Sequence, residues 1–511
     1  MRFGRSAFSV IAVVVAVLAA GFAAWQSSTA PGAVTRHARP HLGATEPTIT
    51  VGPALRVQPV RAGFLGFSFE YSALGGYAGT DPNAVDPVFE QLIRNLADGG
   101  PTVLRIGGNS TDRTWWSVAD VSRSPAGYYT LTRSGLEVLA ALARATDAHL
   151  ILGVNLEANS TVEAAAESRA MLAAIPRRLI DGFELGNEPE LYGTKWYYKR
   201  DGENYFSRPR SWNFQSYLSD YRHIAAAMGR VPLAGPGVGV FSWMRDLGQF
   251  LDTEHLAVVT LHRYPLQSCG PRPGSPKYPT ISNFLSTRAS TDLADGLRPY
   301  VAIAHAHHVL VRNGEMNSVS CGPARGSANT FASALWALDT MFAMASVGLD
   351  GVNIHTYSGY IGQPFTITRS GSRWLSYVTP EYYGMLMFAQ AAPPGSRLLG
   401  VSGTSPTGTI RAWATRTPSG QTHVVLINDS SEEPQSLTLH MHGAAGAATV
   451  ERLEAPSVHS KLGVTIGGRT FGGQTTTGLL SGRSHLERID ASAGTYRVSL
   501  PAASAAMLTF R

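Results

Sequence analysis

Cysteine is scarce in this chain: Cys269 and Cys321 are the two in 511 residues, which leaves room for one disulfide at most. Charge is sparse as well. Charged residues make up 15% and hydrophobic residues 44%, a balance that excludes a long disordered tail and fits an ordered protein with at least one large core. Runs of one charge sign are missing. The net charge of +6 comes from scattered Lys and Arg, so a nucleic-acid surface is not expected. A Gly-rich phosphate loop is missing too. "RIGGNSTD" has adjacent glycines without the G-x-G-x-x-G spacing, which argues against nucleotide binding.

What is present begins at the N-terminus. Arg2 and Arg5 precede an apolar stretch from Phe8 to about Trp25, followed by "QSSTAPGA", the layout of a secretory signal over residues 1–30. Cleavage near Ala30 is expected, and the alternative is a retained signal anchor in a membrane. Either way the bulk of the chain is exported. Residues 31–48 read as a linker, because Pro, Gly, Ala and Thr interrupt any period. In an oxidising compartment Cys269 and Cys321 are expected to pair, the alternative being two buried thiols.

Further along, short β-branched and aromatic runs alternate with helix-period segments, the pattern of parallel βαβ units. Strands are expected at 63–70, 102–108, 149–156, 182–188, 231–238, 256–265, 308–315 and 351–358. Eight such units predict an α/β fold, a (β/α)8 TIM barrel over 63–390, with an open doubly wound sheet as the alternative. Beyond 390 the texture changes to short alternating strands such as "THVVLIND" and "QSLTLHMH", expected to form an antiparallel β-sandwich domain over 391–511. Residues 49–62 share that texture and are expected to add a strand or two to the sandwich.

Functional groups of such barrels stand at the C-terminal ends of the strands. Several expected ends are polar or acidic: Glu70, Asn109, Asp112, Asn155, Glu188, His262, Tyr264, Glu315, His355 and Tyr357. Glu188 closes the fourth strand and Glu315 the seventh, on roughly opposite sides of the mouth. Facing carboxylates are what glycosidic cleavage requires, one protonated to donate to the departing oxygen and one ionised to attack or to activate water.

"GFSFEYS", "LRIGGNSTD", "DGFELGNEPELY", "LHRYP" and "NGEMNSVSCG", in this order and ahead of a sandwich, resemble glycoside hydrolase family 79, the β-glucuronidase and heparanase family within the clan of retaining (β/α)8 glycosidases. The resemblance implies that Glu188 is the acid/base and Glu315 the nucleophile. It implies that Asn187 meets the sugar 2-hydroxyl, that Tyr264 donates to the nucleophile, and that Glu70 and Asn109, with Asp112 nearby, hold sugar hydroxyls. It places a glucuronate carboxylate on the backbone at Cys321 and Gly322 and on Tyr357, in a loop that a Cys269–Cys321 bridge could brace. A glucuronic-acid-containing glycan is the implied substrate of a monomer that needs no cofactor.

Plainer readings stand beside these. Glu188 could be a turn acid, Glu70 a buried partner of Arg105, and Tyr264 or Tyr357 packing aromatics. His262 and His355 read as satisfied core histidines and are left out of the site. "HAHH" at 305–308 is not read as a metal site, since alternate residues of a strand face opposite sides and no acidic partner accompanies them. Two other functions fit the same residues: a glycosidase of the clan acting on neutral β-linked sugars, or a polysaccharide-binding surface protein without catalysis.

Overall fold

A computed structural model describes residues 46–511 apart from 98, 118–125, 323, 405–407, 442–445 and 493. The expected signal or anchor and most of the linker lie outside the described residues. Among the described residues no helix is long and apolar enough to cross a membrane.

Eight parallel strands close into a barrel in chain order: β1 (Leu65–Glu70), β2 (Thr102–Gly107), β3 (Ala148–Val154), β4 (Ile180–Leu185), β5 (Leu233–Val238), β6 (Leu256–His262), β7 (Leu310–Met316) and β8 (Gly351–Thr356). These strands are buried on both faces, and for that reason they read as continuous apolar runs rather than alternating ones. A helix follows each strand. Pro87–Ala97 turns Val88, Phe89, Leu92, Ile93 and Leu96 inward at helical spacing. Thr132, Ser160 and Asn213 cap the next three, each side chain accepting a hydrogen bond from a first-turn N–H.

The seventh helix, Ala332–Ser346, is buried almost all round, because barrel and sandwich enclose it. It lies against Pro380–Ala391 at Gly384, where a Cβ would come within 2.0 Å of the Ala334 carbonyl oxygen. Only glycine permits that approach. From the sandwich, Trp413 stacks on Phe342 at 5.7 Å and donates its indole N–H to Asp339 at 2.7 Å.

The C-terminal sheet is mostly antiparallel. Thr48–Ala54 runs antiparallel to Arg397–Thr404 and parallel to Gln435–Met441, so the first described strand sits inside the last sheet. The sheet curls over a core that includes Val51, Leu426, Leu439, Val450, Tyr496 and Leu508, and the end strand Thr495–Leu500 reaches across to Thr422–Asn428. That closure makes it a sandwich.

Three expected strands start two residues later than their composition suggests, at Leu65, Leu233 and Leu310. The 308–315 run begins at Leu310, and His305 belongs to the helix Arg298–Ala306 while His308 turns with φ +58°. The "HAHH" residues therefore do not alternate on a strand. Nor do they lack acids: His305 contacts Asp350 at 2.9 Å and His307 contacts Asp252 at 3.0 Å, two separate pairs rather than one cluster.

Candidate active site

The exit of β4 is built from backbone upward. Gly186, at φ +80°, donates its N–H to the Val154 carbonyl, and a Cβ there would meet the Tyr192 hydroxyl at 2.3 Å. Two residues later Glu188 adopts φ 47°, ψ 55°, a left-handed conformation that costs a non-glycine residue about 1–2 kcal/mol. The surroundings hold it there: its N–H donates to the Gly237 carbonyl at 3.0 Å, and its carbonyl accepts from Leu191 N–H at 2.9 Å. Pro189 opens the short 3-10 helix Pro189–Leu191 at a position where no backbone donor is needed. The carboxylate of Glu188 is thereby turned out of the barrel wall, with its side chain 24% exposed.

Glu315, near the end of β7, stands in the opposite environment, its side chain 8% exposed. Tyr264 donates its hydroxyl to one carboxylate oxygen at 2.9 Å, and Arg105 of β2 donates to the other at 2.8 Å. His355 and His262 approach within 3.8 and 4.0 Å. Burial alone would raise its pKa, but the positive field of His355, His262 and Arg105 outweighs burial and holds the carboxyl well below the usual range. It is a carboxylate at any physiological pH. Oxygens of Glu188 and Glu315 lie within 4.8 Å of each other, with a nitrogen of His262 inside the same span.

Such a spacing of two carboxylates and an imidazole is one a cation could also accept. The donors already present oppose it. Both oxygens of Glu315 accept hydrogen bonds, one of them from a guanidinium, and a second positive charge there would be repelled.

Arg105 connects the site from below. It is fully buried and donates to Glu184, Glu315, Ser68 and the Asn187 side-chain oxygen at 2.6 to 3.0 Å. Glu70 is therefore not its partner. The Glu70 oxygens instead accept from the backbone N–H groups of Asn109 at 3.1 Å and Ser110 at 2.6 Å, with His355 at 3.6 Å. Gly108 makes this possible, since a Cβ there would lie 2.6 Å from the Glu70 carboxylate.

A cleft of about 470 Å³ contains Glu188, Glu315, Asn109, Tyr264, Cys321 and Tyr357 in its walls. Asn187 lines an adjoining smaller pocket with Glu188; its side-chain oxygen is fixed by Arg105, and its amide NH2 has no hydrogen-bond partner among the described residues. Asp112 borders that smaller pocket together with Asn109, Asn187 and Glu188. Its oxygens accept from the N–H groups of Leu156, Glu157 and Asn187 and from the Tyr192 hydroxyl, which makes it a brace for the β4 exit. Cys269 and Cys321 form a disulfide with Cα atoms 5.9 Å apart, and both border the cleft. Gly322 lies just outside that wall and accepts from the Ser268 hydroxyl at 3.4 Å through its carbonyl.

Residues 412–507 match the C-terminal β domain of glycosyl hydrolase family 79. A β-glucuronidase of Aspergillus niger is 24% identical over 88% of this chain and 91% of its own length, and one of Neurospora crassa is 24% identical over 74% of each. The C-terminal domain of this chain is thus that of glycoside hydrolase family 79. The fold also matches the crystal structure of a 4-O-α-L-rhamnosyl-β-D-glucuronidase from Fusarium oxysporum in complex with Rha-GlcA, at TM-score 0.71 and 20% identity, covering 90% of this chain and all of that one. A GH51 arabinofuranosidase from Xanthomonas axonopodis matches at TM-score 0.63 and 14% identity, over 91% of this chain and all of its own.

The site contains groups that sequence reasoning passed over. His262 is not a satisfied core histidine: neither ring nitrogen has a hydrogen-bond partner among the described residues, and Nδ1 lies 3.5 Å from Glu188. His355 pairs with the Ser68 hydroxyl at 3.0 Å and faces Glu70 and Glu315. The signal was available, because His262 and Tyr264, like His355 and Tyr357, are two residues apart at a strand end and so share a face. Glu190 is the third. It accepts from Gly239 N–H at 2.6 Å, and burial together with neighbouring Glu188 pushes its carboxyl up to about 8.

Proposed function

We propose that the protein is an exported, retaining β-glucuronidase, working as a monomer by double displacement on glucuronic acid residues of glycans or glycoconjugates. Residues 63–390 form its catalytic barrel in this reading, and 49–62 with 391–511 its β-sandwich companion. The observation that carries it is the pair Glu188 and Glu315, with oxygens within 4.8 Å of each other. Retaining enzymes separate their carboxyl groups by about 5–5.5 Å, and a wider gap would be needed for an inverting water.

Glu315 attacks the anomeric carbon as Glu188 gives its proton to the departing oxygen, forming a glycosyl ester. Glu188, now ionised, takes a proton from water, and the water oxygen displaces Glu315 from the opposite face, the one the departing oxygen left. Tyr264 and Arg105 keep Glu315 ionised and aimed. The free NH2 of Asn187 meets the sugar 2-hydroxyl, a contact that strengthens as charge develops at the ring. Glu70 and Asn109 hold further hydroxyls, with Asp112 supporting from below. The glucuronate carboxylate is taken by the Cys321–Gly322 backbone and Tyr357, in a loop tied by the disulfide. The β-glucuronidase names of the fungal relatives support the choice of sugar.

Hydrolysis of an aryl β-glucuronide beside the matching β-glucoside tests the reading, with the anomer formed first followed by proton NMR. Release of the β-hemiacetal from the glucuronide alone is expected. Preference for the glucoside, or initial release of the α-anomer, removes the proposal.

A further inference from the structure

One charged side chain in the cleft has no task in that scheme. Arg263, between His262 and Tyr264, lays its guanidinium on the ring of Phe241 at 4.0 Å and donates from Nη1 to the Gly239 carbonyl at 2.9 Å. Its Nε is buried without a hydrogen-bond partner, and among the described residues no carboxylate pairs with the guanidinium. Other enclosed arginines differ. Arg105 has Glu184 and Glu315, Arg208 has Asp220, and Arg312, which also has no ion pair, donates instead to Asn353 and two carbonyls. Burial depresses the pKa of Arg263, with only Tyr300 opposing. A cation largely withdrawn from water at the wall of a cleft, with one of its five N–H groups hydrogen-bonded and Nε unpartnered among the described residues, is a site for an anion.

Its position indicates where that anion belongs. The guanidinium rests on the loop after β5, at Gly239, where a Cβ would lie 3.1 Å from the Glu188 carboxylate. An acid/base must stand beside the departing oxygen. The hydroxyl-holding candidates Glu70 and Asn109, and Tyr357, come from β1, β2 and β8, across the mouth. Loops after β4 to β6 thus border the sugar that leaves, and the arginine faces it.

We propose that Arg263 binds a carboxylate or sulfate on the residue immediately beyond the scissile bond, so that the substrate is an acidic glycan on both sides of the bond cleaved. This rests on the glucuronidase reading above. A planar guanidinium backed by an aromatic ring offers two parallel N–H groups to a flat or tetrahedral oxyanion, whereas a neutral sugar hydroxyl could satisfy its hydrogen bonds but not its charge.

The test uses the full chain and three disaccharides in which glucuronic acid is β-linked to a neutral hexose, a hexose sulfate or a hexuronic acid. In the parent, kcat/KM for at least one acidic acceptor is expected to exceed that for the neutral one by about tenfold or more, as for one charge-assisted contact. In Arg263→Gln that ratio is expected to fall to about unity, and Arg263→Lys to keep part of it. Cleavage of all three at equal rates by the parent overturns the proposal without any variant. So does an unchanged ratio in Arg263→Gln. A uniform loss on every glucuronide in that variant, with the ratio intact, assigns the guanidinium to the glucuronate carboxylate instead. Failure of the parent on every glucuronide removes the glucuronidase reading first, and this inference with it.

Discussion

The two walls of the cleft take the same side chain, glutamate, in opposite directions. On the β7 wall Glu315 is enclosed and ringed by donors and cations: Arg105, Tyr264, His262 and His355. On the β4 wall Glu188 is partly open, set on a left-handed backbone residue, and its carboxyl neighbour is another acid, Glu190. Desolvation on the first wall is overcome by positive charge. On the second wall like charge adds to desolvation at Glu190, which keeps its proton. Two glutamates can divide acid and nucleophile roles only when their surroundings differ in this way. Here the difference lies in the neighbours.

Removing each glutamate breaks the comparison most directly. Glu315→Gln is expected to lower kcat/KM on an aryl glucuronide by about four orders of magnitude or more, since no covalent path remains. With azide, Glu315→Ala should yield the α-glycosyl azide and Glu188→Ala the β-glycosyl azide, read by NMR. The same anomer from both would mean that the two walls do not play distinct roles. Next in size is Arg105→Met, which takes from Glu184 its ion-pair partner in the barrel interior and leaves Glu315 with the two histidines alone for positive charge. A loss of about 3–5 kcal/mol in urea unfolding is expected, together with activity, as for other broken buried pairs. Stability equal to the parent would mean that the guanidinium does not anchor the site.

Tyr264→Phe is a smaller cut on the same wall. It removes one hydrogen bond to an ionised oxygen, worth about 1.5–3 kcal/mol, and kcat is expected to fall about 10- to 100-fold. The sign of the pH effect follows from what the hydroxyl stabilises. It favours the carboxylate over the acid, so its loss raises the pKa of Glu315 and moves the acid limb of kcat/KM to higher pH. A limb that stays in place would separate Tyr264 from the nucleophile.

These effects divide along what the chain shows in one dimension. Barrel strands buried on both faces leave continuous apolar runs, and an acid closing such a run stands out, which is why Glu188, Glu315 and Glu70 could be found before any coordinates. Arg105 could not be found that way. It sits inside "LRIGG" like any strand residue, and Glu184 and Glu315 reach it only once β2, β4 and β7 share one barrel interior. Asp112 was visible as a polar group near a strand end, but its four donors come from loops after β3 and β4, so its bracing role depends on tertiary closure. His262 was set aside because most buried histidines find partners. Nothing local to "LHRYP" shows that this one has none.

Glu190 gives the sharpest view of the β4 wall. Its carboxyl moves from an ordinary value of 4.5 to about 8 in the folded protein, through burial first and Glu188 second. A raised folded-state pKa means that the native chain holds a proton which the unfolded chain releases. Unfolding free energy attributable to this group therefore declines as pH rises from about 4.5 to about 8, the reverse of the usual ion-paired carboxylate. Glu190→Gln keeps an acceptor for the Gly239 N–H and cannot ionise. Its stability relative to the parent should thus climb across that window and level off above it, as read from urea midpoints at several pH values. A flat difference would mean that Glu190 is ionised throughout, with a counter-charge close by, and the contrast between the two walls would then rest on Glu315 alone.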